Sequence, residues 1–173
     1  MDWQTAISNH HELATALASC IETLEMTLEE TPDVIFAFVS RHHQEAWSRI
    51  GPVLRKRFPG VEVVGCCGQG IIGGGHEVEA SSALALAAAS LPGVDCKAFH
   101  FEAADYKEEE LSDSHWRALF GGLDDIQAMV ILPDPFSTDV RPVIEAADRL
   151  YPHGVVVGGT ALFGGGAMSL LLV

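Results

Sequence analysis

Basic residues are scarce: ten Lys and Arg stand against 24 Asp and Glu in 173 residues, a formal net charge of −14. That deficit argues against nucleic acid and anionic membranes, because both are bound by neutralising phosphates with a basic surface. A basic partner or a zwitterionic ligand stays open. Cysteine is sparse too, four in all with Cys66 beside Cys67, which is no disulfide framework and makes a reducing cytoplasm the expected compartment. No apolar run approaches the ~18 residues of a membrane span, and the first six residues carry no basic segment of a secretory signal. Gly and Pro together are too few for a disordered chain. What remains is 48% apolar, enough for one domain, residues 1–173, with a full core. No internal repeat, linker or low-complexity segment is expected.

The chain is organised around residues 63–79. Val61 to Val64 read as a buried strand, after which side chains give way to glycines at 68, 70, 73, 74 and 75. Glycine reaches positive φ and lets a ligand or another backbone come close, at an entropic cost. The stretch is therefore expected to floor a binding site.

Around it, apolar patterning alternates between helices and strands. Leu13, Leu17, Ile21, Leu24 and Leu28 fall on one helical stripe, an amphipathic helix packed on a sheet. Val34 to Val39 is a continuous apolar run of strand length, the mark of a strand covered on both faces. Trp47, Ile50, Leu54 and Phe58 give a second helix, with a kink or late start expected at Gly51-Pro52. Residues 80–91 are rich in alanine, which favours helix, yet the short Pro92-Gly93 turn argues for a strand paired with 94–101. A charge run at 105–110 reads as solvated. Trp116, Leu119 and Phe120 form a short helix ended by Gly121-Gly122; Ala128 to Leu132 is another buried strand. Val143, Ile144, Ala147 and Leu150 mark the last helix, and Val155 to Val157 and 168–173 are further strands. The apolar end suggests that the last strand lies inside the sheet and that a further segment or second protomer docks nearby. The fold class expected is α/β, a layered domain with a mixed, largely parallel sheet flanked by helices.

The residues just past the buried strands carry the candidate chemistry: Ser40, Arg41 and His42; Cys66, Cys67, Gly68, Gln69 and Gly70; Asp134 and Phe136, with Ser137 and Thr138 beyond; Gly158, Gly159 and Thr160. In open α/β sheets ligands sit outside the carboxyl ends of the strands, so these exits are expected to line one cavity, with His76 from the glycine stretch. A carboxylate held between Pro133 and Pro135 can receive a ligand ammonium or simply brace its own turn. Glu77 and Glu79 read first as a solvated face, and His42-His43 as a surface pair at a helix start.

Several readings compete, the plainest being a purely structural module with a filled rim and no cavity. Gly68 to Gly73 matches GxGxxG after a strand, which in a dinucleotide site must open a helix on the pyrophosphate; two more glycines follow, and no helix can start before about Glu77. Cys66 or Cys67 could be the nucleophile of a hydrolase or transferase, but no acid or base stands at a fixed short spacing from them, and adjacent cysteines chelate one metal poorly. The strand exits instead supply glycine and single polar groups, which favours ligand binding without catalysis. No catalytic residue, metal or cofactor is expected.

These same residues carry a family resemblance. Gly65-Cys66 with its glycines, His76-Glu77-Val78-Glu79, Leu91-Pro92-Gly93-Val94, Phe38-Val39-Ser40, Arg57-Phe58-Pro59-Gly60, Asp134-Pro135-Phe136 and Val157-Gly158-Gly159 resemble, in order and spacing, the amino-terminal domain of the FIST family, named for F-box and intracellular signal transduction. The resemblance implies a non-catalytic sensory domain for small ligands, amino acids being suggested, in signalling proteins and usually followed by a second FIST domain. Many members have a Ser-Thr-Ala-Gly-Glu type sequence after the Gly-Cys; Cys67-Gly68-Gln69-Gly70-Ile71 here removes hydroxyls and an acid. No second FIST domain follows within these 173 residues. The partners expected are a small molecule, a second FIST domain or signalling protein, and a further copy of the chain, with no nucleic acid or membrane.

Overall fold

The computed structural model describes residues 1–102, 105, 111–136, 139–161 and 167–173. The chain divides into two compact units, Met1–Val94 and Asp95–Val173, each built on a four-stranded sheet.

The first unit runs β1 (Asp2–Ser8), α1 (Leu13–Thr27), β2 (Val34–Ser40), a 3-10 helix (Arg41–Arg49) continuing into α2 (Ile50–Arg57), β3 (Glu62–Gly68), a hairpin of β4 (Gly70–Gly73) and β5 (His76–Glu79), and β6 (Leu84–Ser90). The sheet order is β1-β6-β2-β3, with β2 and β3 parallel and β6 antiparallel to both neighbours. β1, β2 and β3 therefore point the same way, and their ends leave by one edge. Alternation decides the faces. Ile35, Ala37 and Val39, Leu84, Leu86 and Ala88, and Cys67 pack with Leu17, Cys20 and Leu24 of α1 and Ile50 and Leu54 of α2. On the other face the hairpin is pinned by Ile71 against Ala83 and Ala85, with Ile7, Phe38 and Val78 around them. Gly51-Pro52 falls in the first turn of α2, just past the change from 3-10 to α-helix, which is the break expected there.

The second unit runs β7 (Lys97–Glu102), α3 (Asp113–Leu119), β8 (Ala128–Leu132), α4 (Arg141–Leu150), β9 (Val155–Gly158) and β10 (Ala167–Leu172), with sheet order β7-β10-β8-β9. β8 and β9 are parallel, and β10 is antiparallel to β7 and β8. Trp116 and Phe120 and, from α4, Val143, Ala146 and Ala147 pack on Met129, Ile131 and Leu172. Gly121 and Gly122, at φ +73 and +69, end α3, and the Gly122 N–H donates to the Arg117 carbonyl at 2.7 Å.

The architecture is thus α/β and layered, with mixed sheets flanked by helices, and residues 168–172 of the expected terminal strand fall inside β10, an interior strand, with Val173 just past its end. Four local expectations change. Residues 84–90 are a strand, but it pairs with β1 and β2, while β7 pairs with β10. Pro92-Gly93, with the Val94 N–H on the Leu91 carbonyl at 3.0 Å, hands the chain to the second unit and makes no hairpin. Gly65, Cys66, Cys67 and Gly68 lie within β3, so the loop begins at Gln69. A strand, β1, occupies residues that the apolar pattern left unassigned. The two units also share one strand order, where no repeat was expected. Residues 106–110 of the charge run lie outside the described residues.

Candidate functional site

The edge where β1, β2 and β3 end carries His10 and His11, Ser40 to His43, and Gln69. Ser40, 1% exposed, closes β2: its N–H donates to the Ala83 carbonyl at 2.9 Å, and its Oγ accepts the Ala83 N–H at 2.9 Å. The same Oγ lies 3.5 Å from His42 Nδ1. Arg41 and His42 are exposed. His43, read as a surface residue, is instead 3% exposed, and its Nε2 is the buried side-chain nitrogen or oxygen that meets no hydrogen-bond partner among the described residues. Burial holds its imidazole below the ordinary histidine range; a hydrogen bond with the His10 backbone pulls the other way, and His42 adds to the lowering.

His10 and His11 stand past the end of β1, their rings stacked with centroids 4.6 Å apart, and His10 Nδ1 accepts the Glu12 N–H at 3.1 Å. Sequence reasoning missed them. The signal was there, since a His-His pair follows each of the first two strands.

In β3, Gly68 pairs with Ser40 and Cys66 with Phe38. Cys67 is 2% exposed and faces the helices; Cys66 is half-buried on the other face. Burial pushes the Cys66 thiol up to about 11, with Cys67 adding to it, and burial raises Cys67 as well. This is the reverse of an activated nucleophile, whose pKa is lowered by nearby positive charge. Gln69 and Gly70 are exposed, and Gly70 opens the hairpin opposite Glu79. His76 sits at the far end opposite Gly73, about 10 Å along the strand by the usual rise. The hairpin thus separates His76 from Gln69 and Gly70, and Glu77 and Glu79 are exposed along it.

In the second unit, Asp134 is 7% exposed and its Oδ1 accepts the Phe136 N–H at 3.0 Å, bracing the turn, while the Phe136 ring is 81% exposed. Gly158, Gly159 and Thr160 are exposed. The Gly159 N–H donates to the Ile131 carbonyl at 3.2 Å and the Ala161 N–H to the Pro133 carbonyl at 2.8 Å, so the β8 and β9 ends leave one sheet edge together. Ser137 and Thr138 lie outside the described residues. Each unit therefore assembles its own strand-end group: Ser40, Arg41 and His42 with Gly68, Gln69 and Gly70 in one, Asp134 and Phe136 with Gly158, Gly159 and Thr160 in the other. A separate groove of about 360 Å³ lies between α1 and α2, lined by Ala14, Leu17, Ala18, Ile21, Glu22, Glu25 and Val53. Among the described residues no three His, Cys, Asp or Glu side chains are grouped to hold a metal, and no helix is long and apolar enough to cross a membrane.

The family model of the FIST N domain matches residues 33–170. The chain belongs to the FIST family. The match takes in most of both units, and the family is associated with sensory roles in signal transduction. No curated protein matches the chain. In this FIST chain the GxGxxG run leads from β3 into β4, followed by β5 and β6, and no helix opens anywhere in residues 68–90. The amide dipoles that a pyrophosphate needs at a helix start are therefore missing from that run.

Proposed function

We propose that this FIST chain is a cytoplasmic, non-catalytic sensory domain that binds a small metabolite, of the amino-acid class, at the strand ends and passes the signal to a second FIST domain, a signalling protein or another copy of itself. The observation that carries the reading is the FIST N match across 33–170. The geometry supports it. At the strand ends Ser40 is tied to the Ala83 backbone and Asp134 to that of Phe136; Ser40 Oγ also lies 3.5 Å from His42 Nδ1, but this hydroxyl is buried and bound to the Ala83 amide, which is not the setting of an exposed nucleophile. Exposed Arg41, His42 and Gln69 offer donors to a carboxylate, and Thr160 offers a hydroxyl. A thermal-shift panel of amino acids and related metabolites tests the reading. A true ligand at ~100 times its dissociation constant adds about 2.7 kcal/mol of stability, and no chemical turnover of that ligand accompanies it. Turnover abolished by Cys66→Ala or Cys67→Ala, with binding retained, would replace the sensor by a cysteine enzyme.

A further inference from the structure

We infer that the chain is built from two copies of one β-α-β-α-β-β element, one in each unit, with residues that correspond position by position along the sheets. Both sheets place the last strand of the unit between the first and second, followed by the third. In both, the second and third strands are parallel and the last is antiparallel to its neighbours. Both helices of each unit cover the same sheet face. A shared order alone is weak, because few topologies are available to such units; the register is what carries the inference.

Just before the second strand, the Asp33 N–H donates to the Ala89 carbonyl at 2.8 Å, and the Gln127 N–H to the Val173 carbonyl at 2.7 Å. The third strand starts alike, with Glu62 N–H on the Asp33 carbonyl at 2.9 Å and Val155 N–H on the Gln127 carbonyl at 3.0 Å. Four positions into that strand stand Gly65, paired with Ala37, and Gly158, paired with Ile131. A Cβ at Gly65 would lie 1.8 Å from the Ala37 carbonyl oxygen, and one at Gly158 would lie 1.9 Å from that of Ile131. The sequence follows the same frame: Phe58, Pro59, Val63, Val64 and Gly65 recur as Tyr151, Pro152, Val156, Val157 and Gly158.

The correspondence assigns roles by position. Ser40 and Asp134 are one position, the buried polar residue three past Ala37 and Ile131; Cys66 and Cys67 answer to Gly159 and Thr160. The copies differ after the third strand, where residues 69–83 of the first carry the β4–β5 hairpin and the second has only 159–166 in that interval.

Three single variants of the intact chain test the inference: Gly65→Ala, Gly158→Ala and Gly159→Cys. The first two are expected to lower Tm markedly and to strip amide-exchange protection from their own parallel pair, β2–β3 or β8–β9. Gly159→Cys is expected to hold Tm within about a degree, because its counterpart Cys66 carries a side chain and, among the described residues, nothing lies within 4 Å of a Cβ at Gly159. A glycine variant too unstable to purify counts as the expected loss, and Gly159→Cys then decides. Gly158→Ala tolerated beside a damaging Gly65→Ala, or Gly159→Cys as costly as Gly158→Ala, would overturn the correspondence.

Discussion

Ser40 and Ala83 hold each other through two hydrogen bonds of 2.9 Å, amide to carbonyl one way and amide to hydroxyl the other. The pair ties the end of β2 to the residue just before β6, across 43 residues of chain. Because both residues are buried, Ser40→Ala leaves the Ala83 N–H without a partner, which costs about 1–3 kcal/mol. Chemical denaturation should show that loss while any ligand that shifts the melting of the parent still shifts the variant. An unchanged denaturation midpoint would mean that the hydroxyl is dispensable to the fold.

His43 gives the first unit a sign-defined response to acid. Its pKa is depressed in the folded chain, so the unfolded chain binds more protons below ~6.5 and stability falls as pH drops through that window. His43→Phe keeps a ring of similar shape and removes both the titration and the partnerless Nε2. Stability near pH 8 balances the lost hydrogen bond to the His10 backbone against the lost partnerless Nε2, and the fall between pH 7 and 5 should be shallower than in the parent. His10 and His42, the other histidines that act on this ring, remain in the variant. Parallel pH profiles for the two proteins would remove His43 as the source.

How far the sequence was legible follows burial. β2 announces itself because a strand covered on both faces reads as an unbroken apolar run, β8 because all five of its residues are apolar and buried or half-buried, and α1 because its stripe meets a single sheet face. β1 was hidden by being an edge strand: Gln4 and the half-exposed Trp3 break any apolar run. β6 was recognisable as a strand despite its alanines, but its partners lie far away in sequence, and a Pro-Gly turn looks alike whether it closes a hairpin or joins two units. Gly65 argued for a loop by propensity, whereas the neighbouring Ala37 carbonyl requires a glycine within the strand. At the site, Ser40 and Asp134 were legible as polar residues ending apolar runs. His43 was not, because nothing local distinguishes a buried histidine from its exposed neighbour.

The cysteines should be slow toward thiol reagents. Cys20, at 1% exposure, and half-buried Cys66 both have thiols pushed up to about 11 by burial. In a Cys96→Ser background near pH 8, native labelling should run far slower than labelling of the denatured chain. The raised values also fix an alkaline trend. The folded chain holds these protons more tightly, so their contribution to stability is complete below ~9 and is lost as pH rises toward about 11. Fast native labelling of Cys66 or Cys67 would instead mark an activated thiol and favour the enzyme reading.

The hairpin is the most separable part of the first unit, and Ile71 is what docks it. That side chain is 2% exposed, against Ala83 and Ala85, whereas Ile72 on the outer face is 71% exposed. A Cβ on Gly73 would lie 3.0 Å from the Ala85 Cβ, so the hairpin rests directly on the small residues of β6. Ile71→Ala removes most of that anchor and should cost about 2–4 kcal/mol if the hairpin stays in place around the cavity. A hairpin able to lift away would lose less, because water then fills the space and only local contacts are forfeited. The two cases differ in amide exchange. Selective deprotection of residues 70–79, with cleavage at Gly74-Gly75 by a protease and β2, β3 and β6 still protected, is the expected result. It would show that the segment leading from Gly68 and Gln69 can move independently of the sheet, as a ligand-responsive element requires. Uniform loss of protection across the whole first unit would instead make the hairpin part of its cooperative core, and the candidate residues at its root a rigid edge.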